Sequence, residues 1–507
     1  MSTANENQAA LITGGSAGIG PAAQPTSFLS TGRGKFTLAF LCMVGFLDFV
    51  DASIVNVALP SIGRDLDFSV QSLQWVLSGY LITYGGFMLL GGRAADLLGR
   101  RRVLVAGILV FAFSSLSGGL AGSANVLVGA RLAQGVGAAM MLPAALSIVT
   151  TTFTGGDRLK ALGVWGAMAG MASALGVFLG GVLSEGPGWR WVLWVNLPIC
   201  LLLLVAAFKL VSGERREAAL RNFDLLGGVL VTAGMLLLVY ALVEAPDVGW
   251  GTTRTIAELA GAAALLVAFV VNEQRHRNPL APLSIFRIKG LAAANSTGVI
   301  AMAGFISMFF FVTLYMQNVL GYSQIQAGSA YVPVTFGVAL AAGVSSKLFV
   351  RTGTRPVIIT GALVAAGGLY WLSRIPVDGA YLTDLLPGLM IMSLGLGAVF
   401  VGVTTAANAG VPSDKAGLAA ALANASMWIG GALGLAIFSV IAASRTNNLL
   451  AAHASQPDAL TSGFQRALLA CSIFLLAAAV IALRATNTRG EAEEQAPDLV
   501  PADGTPI

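Results

Sequence analysis

The stretch FLDFVDASIVNVALP, residues 46–60, places two acidic side chains inside an apolar segment. The apolar run around it covers residues 36–59, which is long enough for a helix to cross a bilayer. Asp48 and Asp51 are three positions apart, so they share one face of that helix. An ionised carboxylate in a bilayer costs about 2.5 kcal/mol or more, so such residues normally face a cavity or a partner. The stretch therefore predicts a membrane helix with a functional polar face.

The composition of the whole chain extends this interpretation. The 507 residues are 56% hydrophobic and only 10% charged, and the mean hydropathy is +0.80. Soluble domains carry about 25% charged residues, so a soluble enzyme is excluded. The net charge is +5, but Lys and Arg lie in short clusters between apolar runs, which indicates membrane topology and excludes a nucleic-acid partner. The three cysteines lie far apart and lack metal-ligand spacing, and we predict neither a metal nor a cofactor.

Fourteen apolar segments suit membrane helices, because lipid admits only helices or closed barrels and these runs are too long for barrel strands. Their limits are 36–59, 72–91, 103–121, 126–151, 159–183, 191–211, 225–244, 256–272, 290–315, 327–348, 356–374, 384–407, 416–443 and 464–484. We therefore predict an all-α polytopic membrane protein with fourteen transmembrane helices.

The distribution of Lys and Arg predicts that the N- and C-termini are both cytoplasmic. This orientation puts 22 of the 29 basic residues on the cytoplasmic side and 6 outside, with Arg131 inside a span. GRAADLLGRR (92–101), after the second span, is weakly echoed by SKLFVRTGTR (346–355), after the tenth, which indicates repeated halves and a 6+2+6 arrangement. The predicted parts are a flexible cytoplasmic tail (1–35), a six-helix bundle (36–211), two inserted helices with loops (212–289), a second six-helix bundle (290–484) and a disordered cytoplasmic tail (485–507).

Arg131, in RLAQGVGAA (131–139), is the one base within a span. An Arg cannot relieve burial by neutralising, so it needs an acceptor, and Asp51 or Asp48 is the nearest candidate by charge sign. Burial disfavours the charged carboxylate, so these acids could exchange a proton for a substrate. We predict proton coupling through Asp51, Asp48 and Arg131. The alternatives for Arg131 are a place near a water-filled cavity, where it tunes the pKa of the carboxyls, and a purely structural ion pair. The alternative for Asp48 is a solvent-wetted helix end.

Two further segments indicate moving parts. In GRAADLLGRRR (92–102), a bond that forms in one conformation only would act as a latch, although the segment could be merely a basic membrane anchor. The latch residues would be Gly92, Asp96, Gly99, Arg100 and Arg101. The fifth span (163–183) is rich in glycine, which permits a hinge, sliding or static close packing of helices. The glycines concerned are Gly166, Gly170, Gly176, Gly180 and Gly181.

LITGGSAGIG (11–20) has the glycine spacing of the phosphate-binding turn of short-chain dehydrogenases. The preceding residues offer no strand, and Pro21 and Pro25 break up the following segment. No tyrosine of this chain is followed four residues later by the lysine that such an enzyme needs. We therefore reject a membrane-tethered dehydrogenase and predict that the protein is not an enzyme.

These motifs together resemble the major facilitator superfamily, specifically its fourteen-helix drug:proton antiporters, over about residues 36–484. DASIVNVALP (51–60) is similar to the first-helix motif, and Gly92, Asp96 and the Gly99–Arg101 run match the loop motif. Arg131, Gln134, Gly135 and Gly137 match the fourth-helix motif, and WRWVLWVNLPI (189–199) looks like the start of helix six.

The sequence departs from that family pattern at two places. In helix five, Val177 replaces the proline that usually follows Gly176, and Ala172 stands where a glycine is usual. In helix thirteen, Asn424 is followed by apolar and aromatic residues where the family often has Arg-Gln, which we expect to alter the choice of substrate.

The resemblance implies proton-coupled efflux of amphipathic drugs, antibiotics or dyes across the cytoplasmic (inner) membrane of a bacterium by alternating access. A transporter dedicated to one metabolite, lipid or antibiotic, as exporter or symporter, is the alternative. The substrate is expected to be small and cationic or neutral, with protons and membrane lipid as the other partners and a monomer as the oligomeric state. Residues expected to line its cavity, unless they only pack or face lipid, are Gln134, Trp165, Phe309, Tyr315, Gln317, Asn424 and Trp428.

Overall fold

The computed structural model describes residues 28–489 except 212–223, 278, 281–282, 410 and 412–415. Every regular element in this part of the chain is a helix. The long helices are α1 Gly32–Asp65, α2 Trp75–Leu98, α3 Arg100–Gly119, α4 Ala124–Thr152, α5 Gly155–Glu185, α6 Asn196–Leu210, α7 Leu225–Val248, α8 Thr253–Arg275, α9 Leu291–Asn318, α10 Val332–Thr352, α11 Thr354–Leu372, α12 Leu386–Asn408, α13 Ala416–Ala451 and α14 Gln456–Ala482. Short helical turns precede several of them, at Phe28–Ser30, Val70–Leu73, Trp191–Trp194, Leu283–Arg287, Gln324–Ala330 and Tyr381–Leu385.

The lengths and apolar character of these helices confirm the predicted all-α polytopic membrane fold. In the described part, thirteen helices are long and apolar enough to cross a membrane. The remaining long helix is α5, which has 31 residues. The protein is therefore a multi-pass membrane protein.

The first helix begins at Gly32, earlier than the predicted limit of 36, because Thr31 caps it. The Thr31 Oγ1 atom accepts a hydrogen bond from the Gly34 N–H at 3.0 Å, which satisfies one of the free donors of the first turn. The Leu29 N–H also donates to Asp157 Oδ2 at 3.0 Å and ties this end to α5. The rest of the predicted tails, 1–27 and 490–507, lies outside the described residues.

Helix α7 contacts helices from both ends of the chain. The Gln71 side chain donates to the Val243 carbonyl, and Gly86 of α2 lies directly against Thr232. Helix α7 also packs on α13 and α8. We call α1–α6 the N-terminal half and α9–α14 the C-terminal half; the division of the chain into six, two and six helices stays a prediction.

The weak sequence echo between residues 92–101 and 346–355 corresponds to a repeated backbone geometry. Gly99 and Gly353 have φ of +97° and +88°, in the left-handed region that favours glycine. The next helix begins directly after each of them. Arg101 Nη1 donates to the Val211 carbonyl after α6 at 3.2 Å, and Arg355 Nε donates to the Ala485 carbonyl after α14 at 3.0 Å. Each arginine thus holds the C-terminal end of the last helix in its own half.

Candidate functional site

The carboxylate of Asp51 lies at the meeting point of four helices of the N-terminal half. Its Oδ2 atom accepts from Arg131 Nη1 of α4 at 2.6 Å. Its Oδ1 atom accepts from Gln134 Nε2 at 2.8 Å and from Asn196 Nδ2 of α6 at 2.7 Å. Both amide nitrogens also donate to Ser115 Oγ of α3, at 2.8 and 3.1 Å. All three partners of Asp51 are donors, the set that an ionised carboxylate can accept.

The guanidinium of Arg131 binds residues of α1 and α2 as well as its own helix α4. Its Nε donates to the Val76 carbonyl of α2 at 3.0 Å, and its Nη1 is shared between Asp51 and Gln134 Oε1 at 2.7 Å. The ring of Tyr80 lies 4.3 Å from the guanidinium carbon, which gives a cation–π contact. The fork of N–H donors in Arg suits this arrangement, and the single ammonium of Lys does not.

The Arg131–Asp51 pair is buried on both sides, with side chains 1% and 0% exposed. Removal of one partner from such a pair costs about 3–5 kcal/mol, because the other charge stays buried and uncompensated. Replacement of a buried pair by apolar residues is often neutral or stabilising, so stability alone is a weak reason to hold this pair there.

Asp48 occupies a separate polar site on the same helix. Its Oδ1 accepts from the Tyr80 hydroxyl at 2.8 Å and its Oδ2 from the Tyr84 hydroxyl at 2.6 Å. The Tyr84 ring stacks on Trp428 of α13, with ring centroids 5.0 Å apart. Gly85 also packs against α13, since a Cβ at this position would lie 2.8 Å from the Ala425 carbonyl oxygen. Asp48 is therefore linked through one tyrosine to the C-terminal half, whereas Asp51 is bound wholly within the N-terminal half.

The glycines of α5 allow close packing against two partners. A Cβ on Gly176 would lie 2.8 Å from the Val50 carbonyl oxygen, and one on Gly180 would collide with the Ile54 carbonyl. A Cβ on Gly181 would lie 2.6 Å from the Gln324 carbonyl oxygen, which belongs to the C-terminal half. Gly166 and Gly170 lie on the same helix, and their surroundings fall outside the described residues.

Hydrogen bonds join the two halves at the end of the molecule where α1, α5 and α9 terminate. Gln317 Nε2 donates to the Val57 carbonyl at 2.9 Å, and the Ile325 N–H donates to Glu185 Oε2 at 2.9 Å. The Gln324 side chain also donates to Ser61 Oγ. This end of the interface is closed.

The predicted latch loop lies at the other end of the molecule, where α1 and α5 begin. Arg100 Nη1 donates to Thr151 Oγ1 of α4 at 2.8 Å, and Arg101 binds the Val211 carbonyl as described above. Gly92 approaches α4, since a Cβ there would lie 3.5 Å from Pro143 Cβ. Asp96 is exposed near the end of α2.

The residues predicted to line a cavity are scattered among different environments. Gln134 belongs to the Asp51 network, and Trp165 packs near Gly45. Phe309 and Tyr315 lie in the C-terminal half: the Phe309 ring is 4.6 Å from that of Tyr331, and the buried Tyr315 hydroxyl donates to the Pro376 carbonyl at 2.5 Å.

Two other predicted cavity residues lie on α13. Asn424 is exposed, and its Nδ2 donates to the Ala420 carbonyl of its own helix at 3.0 Å. Trp428 is buried and reaches the Asp48 site through Tyr84.

Comparison with known proteins supplies the family. A family model described as Major Facilitator Superfamily matches residues 41–435. The chain belongs to the Major Facilitator Superfamily. The protein, which we call this facilitator after the family, is thus a member of a family of transporters, as the first-helix, loop and fourth-helix motifs predicted.

The curated relatives of this facilitator have names that refer to antibiotics. Puromycin resistance protein pur8 of Streptomyces alboniger is 37% identical over 466 residues, which cover 90% of this chain and 92% of that protein. Cephamycin export protein CmcT of Amycolatopsis lactamdurans is 39% identical over 461 residues, which cover 90% and 93%. The alignments therefore span nearly the whole length of both relatives.

Solved structures agree on the fold. A bacterial homolog of the human lysosomal transporter Spinster, in an inward-facing and unoccupied conformation, aligns with a TM-score of 0.62 at 17% sequence identity. The alignment covers 89% of this facilitator and 97% of that chain.

Sequence reasoning missed four residues of the site in this facilitator. Ser115 and Asn196 complete the Asp51 network, and Tyr80 and Tyr84 bind Asp48. Asn196 could have been found, because it is an amide inside the apolar segment 191–211. The tyrosines carried a weaker signal, since an aromatic pair at i, i+4 is equally typical of plain packing.

Proposed function

We propose that this facilitator exports small amphipathic drugs or antibiotics in exchange for protons, across the cytoplasmic (inner) membrane of a bacterium. The observation that carries the proposal is the buried Asp51–Arg131 pair with its ring of amide donors. The antibiotic names of the two curated relatives support the class of substrate. The excess of Lys and Arg on one side supports an orientation with both termini in the cytoplasm.

Protonation of Asp51 would change both the net charge of this site and its hydrogen bonding. A neutral carboxyl no longer attracts Arg131 as an ion, and it turns one of its oxygens into a donor. In the described part of the chain, Asn196 Oδ1 is buried without a hydrogen-bond partner, so rotation of that amide would offer an acceptor to the new O–H. The contacts among α1, α4 and α6 would rearrange with the proton, which couples proton binding to helix movement.

The Asp48 site is the proposed contact for the substrate. It combines a carboxylate with the rings of Tyr80, Tyr84 and Trp428, a set that suits a flat cationic or neutral amphipathic molecule. Asp48 also lies one helical turn from Asp51, so a bound cation and a proton at Asp51 would influence each other through charge. In this proposal Asp48 contributes to proton coupling only through that influence.

Alternating access would use the closed end of the interface and the loop at the other end. The bonds of Gln317 and Gln324 to α1 must break for the closed end to open. Gly92, Asp96, Gly99, Arg100 and Arg101 would act as the latch at the opposite end, and the glycines of α5 would let that helix slide on α1. We propose that a monomer suffices, since both halves lie in one chain.

A carrier dedicated to one antibiotic is the second candidate. The relative named for cephamycin export, which aligns with 90% of this chain, is compatible with it. Purified protein in proteoliposomes, tested with a panel of cationic and neutral compounds, separates the two. Substrate-driven proton flux with many compounds supports broad efflux, flux with one supports the dedicated carrier, and flux with none contradicts both.

A further inference from the structure

A cavity of about 330 Å³ lies away from both Asp51 and Asp48, where four helix ends of the N-terminal half meet. The first turns of α1 and α3 and the last turns of α4 and α6 form its wall. In the proposed orientation this is the cytoplasmic end of the half, at the level where lipid headgroups meet water.

The polar side of this cavity carries two guanidinium groups. Arg33 is exposed and Arg100 is half-buried, and both line the cavity. Thr37, Thr151 and Thr152 also line the cavity; Thr37 Oγ1 donates to the Arg33 carbonyl, and Thr151 Oγ1 accepts from Arg100 Nη1. Guanidinium groups bind phosphate oxygens with two parallel N–H donors. The cavity is therefore lined by groups that suit a phosphate.

Backbone geometry adds to this positive character. Helix α3 begins at Arg100 after Gly99, and no side chain caps its first turn. The helix dipole at that end favours an anion.

The lining of the cavity also includes apolar residues. Phe28, Ile148, Leu210 and Val211 line it. Such a lining does not help to bind a free inorganic ion, but it suits the glycerol and upper acyl carbons that follow the phosphate of a lipid. The cavity thus combines basic and apolar residues, both of which an amphiphile with a phosphate at one end would need.

We propose that this cavity binds a phosphate-bearing anion, and that its source is the headgroup of an anionic phospholipid in the surrounding membrane. The cavity lies away from Asp48 and Asp51 but shares Arg100 with the proposed latch, so the test uses Arg33, which has no part in that latch. Basic pockets between membrane helices on the cytoplasmic side are suited to such headgroups.

The test measures binding of phosphatidylglycerol to the purified full-length protein in detergent by native mass spectrometry, with phosphatidylcholine as the neutral comparison. Arg33→Gln removes one cation of the cavity. Lys35→Gln is the matched control, because it removes the same charge from an exposed residue of the same turn that does not line the cavity. We expect Arg33→Gln to weaken phosphatidylglycerol binding about fivefold, the effect of one basic residue near an anionic headgroup. We expect Lys35→Gln to leave binding within about twofold of the unmodified protein.

Competition by inorganic phosphate distinguishes the two sources. Tight phosphatidylglycerol binding that phosphate displaces only weakly supports the lipid. Phosphate binding that is sensitive to Arg33→Gln, without selection of lipid, supports the phosphate site and contradicts the lipid source. Equal losses in the two variants, or equal binding of phosphatidylcholine, would overturn the proposal. None of these outcomes depends on transport, so they are independent of the proposed function.

Discussion

Arg131 Nη1 lies 2.6 Å from Asp51 Oδ2, and this contact joins α4 to α1 at a point without solvent exposure. The same guanidinium holds the Val76 carbonyl, and the same carboxylate holds amides of α4 and α6. One proton on Asp51 would therefore change the packing of several helices. The contacts of this pair lead to the first prediction.

Arg131→Lys keeps the charge and removes the fork of donors. An ammonium at this position cannot bind Asp51, Gln134 and the Val76 carbonyl with the same geometry. The loss of a hydrogen bond to a charged group costs about 1.5–3 kcal/mol, so we expect transport to fall by about tenfold or more. The measurement is the initial rate of efflux in proteoliposomes. Arg254→Lys, at a half-exposed arginine of α8, is the control, and equal rates in all three proteins would contradict this role of Arg131.

The substrate role of Asp48 predicts a difference between cationic and neutral compounds. Asp48→Asn removes the negative charge, and we expect export of a cationic compound to fall about tenfold more than export of its neutral analogue. Tyr84→Phe removes the 2.6 Å hydrogen bond and should give a smaller change in the same direction. The control is Tyr240→Phe, which removes the hydroxyl of an α7 residue that accepts a hydrogen bond from Arg254 of α8. It should change neither export rate. Equal loss for both compounds in Asp48→Asn would show that Asp48 does not select by charge.

The close approach of α5 to α1 predicts a penalty for even one added methyl group. Gly176→Ala would place its Cβ against Ser53 and the Val50 carbonyl, which costs about 1–3 kcal/mol through overpacking. We expect a lower melting temperature and slower transport. Gly129→Ala in α4 is the matched control, since its Cβ would have nothing within 4 Å. If the two variants melt at the same temperature, α5 does not depend on this close contact.

The closed end of the interface can be locked by a covalent cross-link. Ser61 and Gln324 have side chains in contact across the two halves, so cysteines at both positions can be joined by a short, reducible bifunctional thiol cross-linker. We expect the cross-linked protein to lose transport and to regain it after reduction. The native cysteines in the described part are buried, and each single-cysteine variant serves as a control. Full transport by the cross-linked protein would show that this end does not open.

The sequence alone was sufficient to predict the membrane fold and the main charged residues. Asp51, Asp48 and Arg131 were visible because a charge inside an apolar run is costly and needs a partner. The sequence left two acids open as the partner of Arg131, since a helical face does not reveal which acid lies nearer across another helix. The structure pairs it with Asp51 and leaves Asp48 to two tyrosines.

The remaining features depend on packing between distant segments. Nothing in the local pattern around Ser115 shows that it accepts from two amides, and nothing around Tyr84 shows that it donates to Asp48, because helix register across the bundle decides both contacts. Tyr315 illustrates the converse case: its aromatic character suggested a cavity wall, yet its hydroxyl binds the Pro376 carbonyl within the C-terminal half. The similarity between residues 92–101 and 346–355 is weak in the sequence. It is clear in the structure, because Gly99 and Gly353 share a positive φ that few other residues adopt.

The central claim is that Asp51 carries the transported proton. The variant Asp51→Asn removes the titrating group but keeps a side chain of the same shape. Because it leaves Arg131 buried without its ion partner, the double variant Asp51→Asn with Arg131→Gln is the second test, and Asp65→Asn on the same helix is the surface control. Correct insertion is checked by size-exclusion chromatography of each purified protein.

The most direct measurement is proton flux driven by a substrate gradient in proteoliposomes that contain these variants. The account predicts flux at the background level for Asp51→Asn and for the double variant, and flux close to that of the unmodified protein for Asp65→Asn. Substrate-driven proton flux that persists in correctly inserted Asp51→Asn protein would contradict the account.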